Sequence, residues 1–261
     1  MRLPVAVISL VITVAGLGPA APTTASHPCD QTLLYRYCGD HPVGLPLRLR
    51  VIMSGSPVGA VAMREAVERA VHGWNAAWME AAAAAGAPWL SQSDPACPAI
   101  CIDATGSSTV GWRNGLGGTC SEAADAIAVA CLARAAGSGH AAHHIVRVDV
   151  ILNSARLWRA ASGPDLVTGE IEAFGSVHIG NDPLLCPVPW WDVWSVVAHE
   201  LGHALGLDDL PGNWPANLSH VVSARQTMYV PGSACTTNRR TLEEGDLLGL
   251  RLAAADSAKD R

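Results

Sequence analysis

The amino-acid sequence predicts an α+β domain, on three observations. A long segment early in the chain has apolar residues at three- and four-residue spacing, as in a helix packed on a sheet. Several short apolar runs, bounded by glycine-rich and polar stretches, follow it and are typical of strands. The 261 residues are 49% hydrophobic, which is enough for one packed core. An α/β arrangement stays open on these grounds alone.

The first 25 residues predict a signal peptide. Arg2 is followed by an apolar run from Leu3 to Leu17, and the small residues around Ala20 and Ala25 offer two cleavage positions. A retained membrane anchor is disfavoured because the run is shorter than the roughly 20 residues that a span needs. We therefore expect a secreted, extracellular protein that has no membrane segment after signal removal.

All eight cysteines follow the signal segment, and an even number in an exported chain predicts four disulfides. Eight cysteines allow 105 pairings, so the sequence alone does not fix the connectivity. The competing interpretation, a cysteine-type zinc site, lacks any CxxC pair. Pairing nearest neighbours gives Cys29 with Cys38, Cys97 with Cys101, Cys120 with Cys131, and Cys186 with Cys235.

The chain carries 17 basic and 23 acidic residues, a formal net charge of -6. The basic residues form no long run that could follow a phosphate backbone, so we expect no nucleic-acid partner.

The N-terminal part of the mature chain contains an extension, a strand and a helix. Residues 26–45 have two cysteines and little periodicity, and we interpret them as a disulfide-tied extension of the domain 46–261. Pro46 to Met53 alternates apolar and basic residues, which predicts a strand. Apolar spacing from Val58 to Ala85 predicts a helix.

The rest of the chain predicts three more strands, a long irregular connection and two more helices, the last with a capping box and a frayed tail after Asp256. In order, these elements are the strands Ala99 to Asp103, Asp125 to Ala133 and Ile145 to Asn153, the connection 154–191, and the helices Asp192 to Leu207 and Thr241 to Ala255, with Thr241 to Glu244 as the box.

The helix from Asp192 contains the sequence His-Glu-x-x-His. His199 and His203 are four residues apart, so both imidazoles project from one helix face and can reach one metal ion. A zinc ion with three protein ligands keeps a position for water and lowers the pKa of that water. Glu200, beside the first histidine, is then placed to accept the proton of the water as a general base. The alternative is a partly buried helix with polar residues at these positions by chance.

Two residues after the helix extend this pattern. Gly206 can leave the helix in a left-handed conformation and turn the chain back toward the metal. Asp209, ten residues after His199, can supply the third ligand, since carboxylate oxygens bind zinc at about 2.0–2.2 Å. Asp208 is the rival third ligand, and a helix-end residue bonded to backbone is the other interpretation of Asp209.

His199 to Asp209 resembles the extended zinc signature of the metzincin peptidases, HExxHxxGxxH/D. Its final aspartate is similar to the variant seen in snapalysin-type bacterial neutral proteases. Thr227 to Pro231 resembles the Met-turn of the family in its matrixin form, in which Met228 is a hydrophobic floor and not a ligand. The strand Val148 to Asn153 and the Leu-x-x-x-Asp-x-x-Gly pattern at Leu242, Asp246 and Gly249 also resemble matrixin-like catalytic domains.

The resemblance covers about residues 46–255 and implies a metzincin-like zincin fold. This fold has a twisted mixed β-sheet, an active-site helix and a small lower lobe from about Leu210 onward. The resemblance further implies a secreted zinc endopeptidase in which one Zn²⁺ is held by His199, His203 and Asp209, with Glu200 as the general base and acid. A protein or peptide substrate is the expected partner, and a monomer is the default.

The family arrangement also implies how a substrate would bind. The strand Asp125 to Ala133 would be an antiparallel edge strand that pairs with an extended substrate chain. The segment from Val230 to Arg240 would form the wall of the pocket for the side chain just past the cleaved bond. No cysteine-switch propeptide is recognisable, and the sequence does not show whether calcium is needed.

Three alternatives stay open at this point. The chain could be a secreted zinc-binding module that does not cleave, or a zinc amidase that acts on a cell-wall amide. His140, His143 and His144 could bind a second, structural metal, although histidines in such a loop are more often solvated.

Overall fold

The computed structural model describes residues 29–32, 34–43, 45–91, 97–118, 120, 126–136, 142–160, 188–211, 226–230, 232, 234–237 and 239–260. The predicted signal peptide, Cys186, His140 and most of the predicted connection 154–191 lie outside these residues. Within the described ranges the chain is α+β, with three α-helices and a mostly parallel central sheet. No helix in those ranges is long and apolar enough to cross a membrane.

The helices and strands have the following bounds. The helices are α1 (Ala60–Ala84), α2 (Val193–Ala204) and α3 (Glu244–Lys259), and a 3-10 turn covers Pro88–Ser91. The strands are β1 (Asp30–Gln31), β2 (Arg36–Tyr37), β3 (His41–Pro42), β4 (Leu47–Val51), β5 (Ile100–Ile102), β6 (Ser108–Arg113), β7 (Ala128–Arg134), β8 (His144–Asn153), β9 (Trp158–Arg159), β10 (Trp191–Asp192), β11 (Leu210–Pro211) and β12 (Tyr229–Val230).

The central sheet has six strands and confirms the four that the sequence predicts, β4, β5, β7 and β8. Its order is β3-β8-β6-β4-β5 with parallel pairing throughout, and β7 pairs with β8 in antiparallel orientation. Among the described residues β7 has no other strand partner, so it forms an edge as expected.

Strand β6 lies between β8 and β4, and its sequence pattern does not predict it. Its residues STVGWR contain few apolar side chains, so the usual strand pattern is weak. Its polar side chains instead bond to the neighbouring strand. Thr109 Oγ1 donates to Asp149 Oδ1 at 2.7 Å, and Ser108 Oγ accepts from the Val148 N–H at 3.1 Å.

Helix α1 confirms its prediction and packs against both α2 and the sheet. Trp74 and Trp78 are completely buried on its inner face. The indole N–H of Trp74 donates to the Ala198 carbonyl in α2 at 2.7 Å. The Asn75 side chain bonds the backbone N–H and C=O of Ile100 in β5, each at 2.9 Å. These contacts fix α1 to α2 on one side and to β5 on the other.

Both later helices differ from their predicted bounds. Helix α2 ends at Ala204, three residues before the predicted end, because Gly206 has a φ of 97° and reverses the chain. The capping box of α3 is formed by Glu243 and Asp246, not by the predicted box that starts at Thr241. The predicted fraying after Asp256 is wrong, since α3 continues to Lys259.

Three of the predicted disulfides are confirmed. They join Cys29 to Cys38, Cys97 to Cys101, and Cys120 to Cys131. Cys235 is also in a disulfide, and its expected partner Cys186 lies outside the described residues.

Candidate metal centre

Helix α2 and the turn after it bring His199, His203 and Asp209 together. One ligand atom from each side chain lies within 4.8 Å of the other two. Asp209 Oδ1 is 3.2 Å from His199 Nε2 and 3.4 Å from His203 Nε2. The i, i+4 spacing on α2 and the turn at Gly206 therefore place the predicted set at one point.

Each imidazole is oriented by a backbone carbonyl. His199 Nδ1 lies 2.8 Å from the Thr227 oxygen, and His203 Nδ1 lies 2.8 Å from the Leu207 oxygen. A carbonyl only accepts hydrogen bonds, so Nδ1 carries the proton and donates in both rings. In the neutral ring Nε2 then presents a lone pair toward Asp209. Metal-bound histidines in proteins typically have this arrangement.

The two neighbouring aspartates have different surroundings. Asp208 Oδ2 lies 3.4 Å from Arg36 Nε and 3.1 Å from Cys38 Sγ, while its Oδ1 accepts the Asp209 N–H at 2.9 Å. Asp209 alone contacts both imidazoles. The structure thus turns the Asp208 carboxylate toward the N-terminal segment.

The imidazole and carboxylate atoms that face one another at this centre are buried and lack hydrogen-bond partners of good geometry. Glu200 and His203 are completely buried, and His199 is 3% exposed. His199 Nε2, His203 Nε2, Asp209 Oδ1 and both Glu200 carboxyl oxygens are buried and make no hydrogen bond of good geometry with any described residue. Such a set in a folded protein needs a partner, for example an ion or a water molecule.

The distances fit a tetrahedral metal. Ligand atoms about 2.0–2.1 Å from a zinc ion in tetrahedral geometry are separated by about 3.3 Å. The two measured separations of 3.2 and 3.4 Å from Asp209 Oδ1 agree with this value. Two imidazole nitrogens and a carboxylate oxygen are also a ligand set that zinc accepts. The residues therefore fit the expected ion.

The pKa values in this group reflect burial and mutual attraction. Burial raises the pKa of Glu200, and the two imidazoles only partly oppose it. Burial would lower the pKa of His203, but the close contact with Asp209 outweighs burial and raises it to about 9. Burial would raise the pKa of Asp209, but contact with both imidazoles holds it below its usual range. Asp209 is therefore ionised at neutral pH, as a metal ligand must be, whereas His203 would release a proton when it binds a metal ion.

Met228 packs beneath α2. It is 2% exposed, and its sulfur lies against Gly202. A Cβ atom at Gly202 would overlap that sulfur and lie 3.0 Å from Trp74 Cζ2. Asp246 of α3 holds the turn in place, since it accepts the backbone N–H of Thr227 at 2.9 Å and of Met228 at 3.3 Å.

A small pocket of about 30 Å³ lies beside His199 and Glu200. One wall comes from the start of β7 and from α2. The segment that was expected to form the pocket wall contributes Gly232, Thr236 and Arg239.

Several residues that shape this region have no clear signal in the sequence. The carbonyls of Thr227 and Leu207 have no sequence signal, because every residue has the same backbone acceptor. Arg239 is buried beside the pocket, its guanidinium lies 5.5 Å from the Tyr229 ring centroid, and burial lowers its pKa to about 10. Arg240 forms a buried bidentate pair with Asp192, at 2.7 and 3.0 Å.

Three loop histidines were an alternative site for a second metal, and the two that the structure describes face different carboxylates. His143 Nδ1 lies 3.0 Å from Asp40 Oδ1, whereas His144 points to Asp260. His140 lies outside the described residues.

A scan against protein-family models finds no match to this chain, and no curated protein matches it. The functional interpretation therefore rests on the residues and geometry described above.

Proposed function

We propose that this protein is a secreted zinc-dependent endopeptidase of the metzincin type. The observation that carries the proposal is the convergence of His199, His203 and Asp209. Both imidazoles are fixed by carbonyls, and their Nε2 atoms face one carboxylate oxygen without good hydrogen bonds. One catalytic Zn²⁺ is the ion that this ligand set fits best.

The roles of the side chains follow from their positions. When bound, zinc would lower the pKa of a coordinated water and polarise a substrate carbonyl. Glu200 lies beside His199 in this buried site and lines the same pocket. Burial raises the pKa of its carboxyl, so this group holds a proton more readily than an exposed glutamate, as a group that accepts and returns a proton must. It accepts a proton from the attacking water and passes it to the leaving amine.

Strand β7 and the pocket support a peptide substrate. The outer edge of β7 is free of strand partners among the described residues, and an extended chain can pair with such an edge. Ala128 of β7 and Glu200 line the same pocket, so a chain on that edge would run past the proposed base. The pocket wall with Arg239 would receive the side chain that follows the cleaved bond.

The metzincin assignment is supported by three features. Gly206 turns the chain at a φ of 97°, Met228 packs beneath α2, and one edge strand of the sheet is antiparallel. Export is supported by the disulfides, because disulfides persist in oxidising surroundings.

A casein-cleavage assay with Glu200→Gln tests the proposal. The wild type should cleave casein, lose activity with a chelator and regain it with zinc. Loss of the proton-transferring carboxylate should lower activity by about 10²–10⁴-fold while zinc stays bound. The matched control is Glu68→Gln on the exposed face of α1, which should leave activity unchanged.

Two outcomes would replace this proposal. If wild type and Glu200→Gln bind zinc equally and both leave casein intact, the protein is a zinc-binding module. If wild type releases products from cell-wall material but not from casein, it is an amidase with the same metal centre.

A further inference from the structure

A second group of side chains that could hold a metal ion lies at the C-terminal end of α3. His41 is the first residue of β3, His144 is the first residue of β8, and Asp260 follows α3 directly. His41 and His144 are paired residues of parallel strands, so their side chains project from the same face of the sheet. The end of α3 brings Asp260 to that face.

The three side chains converge on one carboxylate oxygen. Asp260 Oδ2 lies 2.9 Å from His144 Nε2 and in direct contact with His41 Nε2. One ligand atom from each residue lies within 4.8 Å of the other two, and the imidazole centroids are 5.1 Å apart. This is the same residue set, two histidines and one aspartate, as in the centre at α2.

The hydrogen bond of His41 directs its Nε2 at the carboxylate of Asp260. His41 Nδ1 lies 2.9 Å from the Gly39 carbonyl, so Nδ1 carries a proton. The neutral ring would then direct the Nε2 lone pair at a carboxylate oxygen, and two acceptors in contact repel. A second proton would relieve this by making a buried imidazolium–carboxylate pair at a side chain that is 1% exposed. A divalent cation would relieve it as well, once Nε2 and Oδ2 lie about 3.3 Å apart, as two ligands of one zinc ion do, and it would also bind His144 Nε2.

The surroundings favour a cation. The C-terminal end of a helix is the negative end of its dipole, and Asp260 caps α3 there. Asp256, one turn earlier, accepts the Tyr37 hydroxyl at 2.8 Å, and its charge is balanced by Lys259 at 2.6 Å, so Asp260 and the helix end supply the negative charge at this point. The His144 and Asp260 side chains are each 18% exposed, which leaves access for an ion and for a solvent ligand.

We propose that His41, His144 and Asp260 form a second zinc site with a structural role. Imidazole nitrogens with a carboxylate oxygen suit zinc better than calcium or magnesium, which prefer oxygen ligands. The ion fastens the N-terminal segment and the start of β8 to the end of α3. The site does not depend on the proposed peptidase activity.

Zinc content of the full chain tests this proposal with the α2 centre removed. The double variant His199→Gln, His203→Gln should keep about one zinc per chain, against about two in the wild type. Adding Asp260→Asn to the double variant should remove the remaining zinc. His72→Gln, on an exposed position of α1, should retain both ions.

Cobalt(II) gives an independent readout. Cobalt added to the double variant should produce the visible absorption of a nitrogen- and oxygen-bound ion, and Asp260→Asn should abolish it. The contacts of Asp260 hold only the last turn of α3, so its replacement should change the circular dichroism of the chain by no more than the loss of that turn. A wild type with about one zinc, and a folded double variant with neither zinc nor cobalt, would overturn the proposal.

Discussion

Asp208 and Asp209 are adjacent in sequence, yet their carboxylates face different parts of the molecule. Asp209 contacts both imidazoles, whereas Asp208 contacts Arg36 and Cys38 of the N-terminal segment. Asp209→Asn should therefore weaken zinc binding at the α2 centre by at least about 100-fold, since it removes a charged ligand atom. Zinc affinity is best measured by competition with a chromogenic chelator.

Asp208→Asn is the matched comparison for that measurement. Asp208 contacts neither imidazole and accepts the Asp209 N–H, so Asp208→Asn should change zinc affinity by no more than about 10-fold. If Asp208→Asn lowers zinc affinity more than Asp209→Asn does, Asp208 is the third ligand.

Gly206 is required by both its backbone conformation and its surroundings. Its φ is 97°, and a Cβ atom there would overlap the Asp40 carbonyl oxygen. Gly206→Ala should lower the free energy of unfolding by about 2–4 kcal/mol. Thermal unfolding measures this, and Gly59→Ala, where a Cβ meets nothing within 4 Å, is the control. Equal melting temperatures for the two variants would refute the argument.

The positions of the site residues could be predicted to different degrees, for physical reasons. The i, i+4 spacing of His199 and His203 and the turn at Gly206 are local properties of the backbone, so the sequence specifies them. The orientation of each ring depends on the carbonyls of Thr227 and Leu207. Their positions follow from tertiary packing of a turn, and the sequence has no direct signal for that.

Asp246 connects α3 to the metal centre through the turn at Thr227. Its carboxylate accepts the N–H groups of Glu243, Thr227 and Met228. The Thr227 carbonyl in turn accepts the Nδ1–H of His199. The aspartate that the sequence pattern singled out therefore acts as a buried acceptor for the turn, one step removed from the metal ligands.

Asp246→Asn should weaken both the fold and the metal site. The amide would direct N–H donors at backbone N–H groups, which costs about 2–4 kcal/mol in a buried position. Displacement of Thr227 should also lower zinc affinity by about 10-fold, as outer-shell changes do. Chemical denaturation and chelator competition measure the two effects. Glu244→Gln, exposed in the first turn of α3, should change neither the stability nor the zinc affinity. If Asp246→Asn has the stability and zinc affinity of the wild type, this connection is refuted.

The elements themselves could be predicted where an apolar pattern is strong. Helix α1 and strand β8 have clear periodicity, and both were predicted within about two residues of their bounds. Strand β6 was missed because its stability comes from Thr109 and Ser108 bonding to β8. The end of α3 was missed because contacts of Asp260 with the N-terminal segment hold it, and such contacts are non-local.

The N-terminal segment 29–43 packs against both the metal centre and α3. The Asp40 carbonyl lies against Gly206, and the Arg36 carbonyl accepts the Asp208 N–H at 3.0 Å. On α3, Gly249 faces Tyr35, where a Cβ would lie 3.3 Å from the Tyr35 Cβ. Strand β3 adds to the central sheet beside β8. The segment thus buries the outer side of the turn that positions Asp209.

A chain shortened to residues 46–261 tests the predicted boundary between extension and catalytic domain. Because the segment supports the Gly206 turn, its loss should lower the melting temperature by at least about 10 °C, which corresponds to a few kcal/mol for a chain of this size. Zinc affinity at the α2 centre should fall as well. The shortened chain also lacks His41, so His41→Gln in the full chain is the control for the second site alone. If the shortened chain has the same melting temperature and the same zinc affinity at the α2 centre as His41→Gln, the segment is a detachable extension. If its melting temperature and zinc affinity are lower than those of His41→Gln, residues 29–43 are part of the structure that holds Asp209 in place.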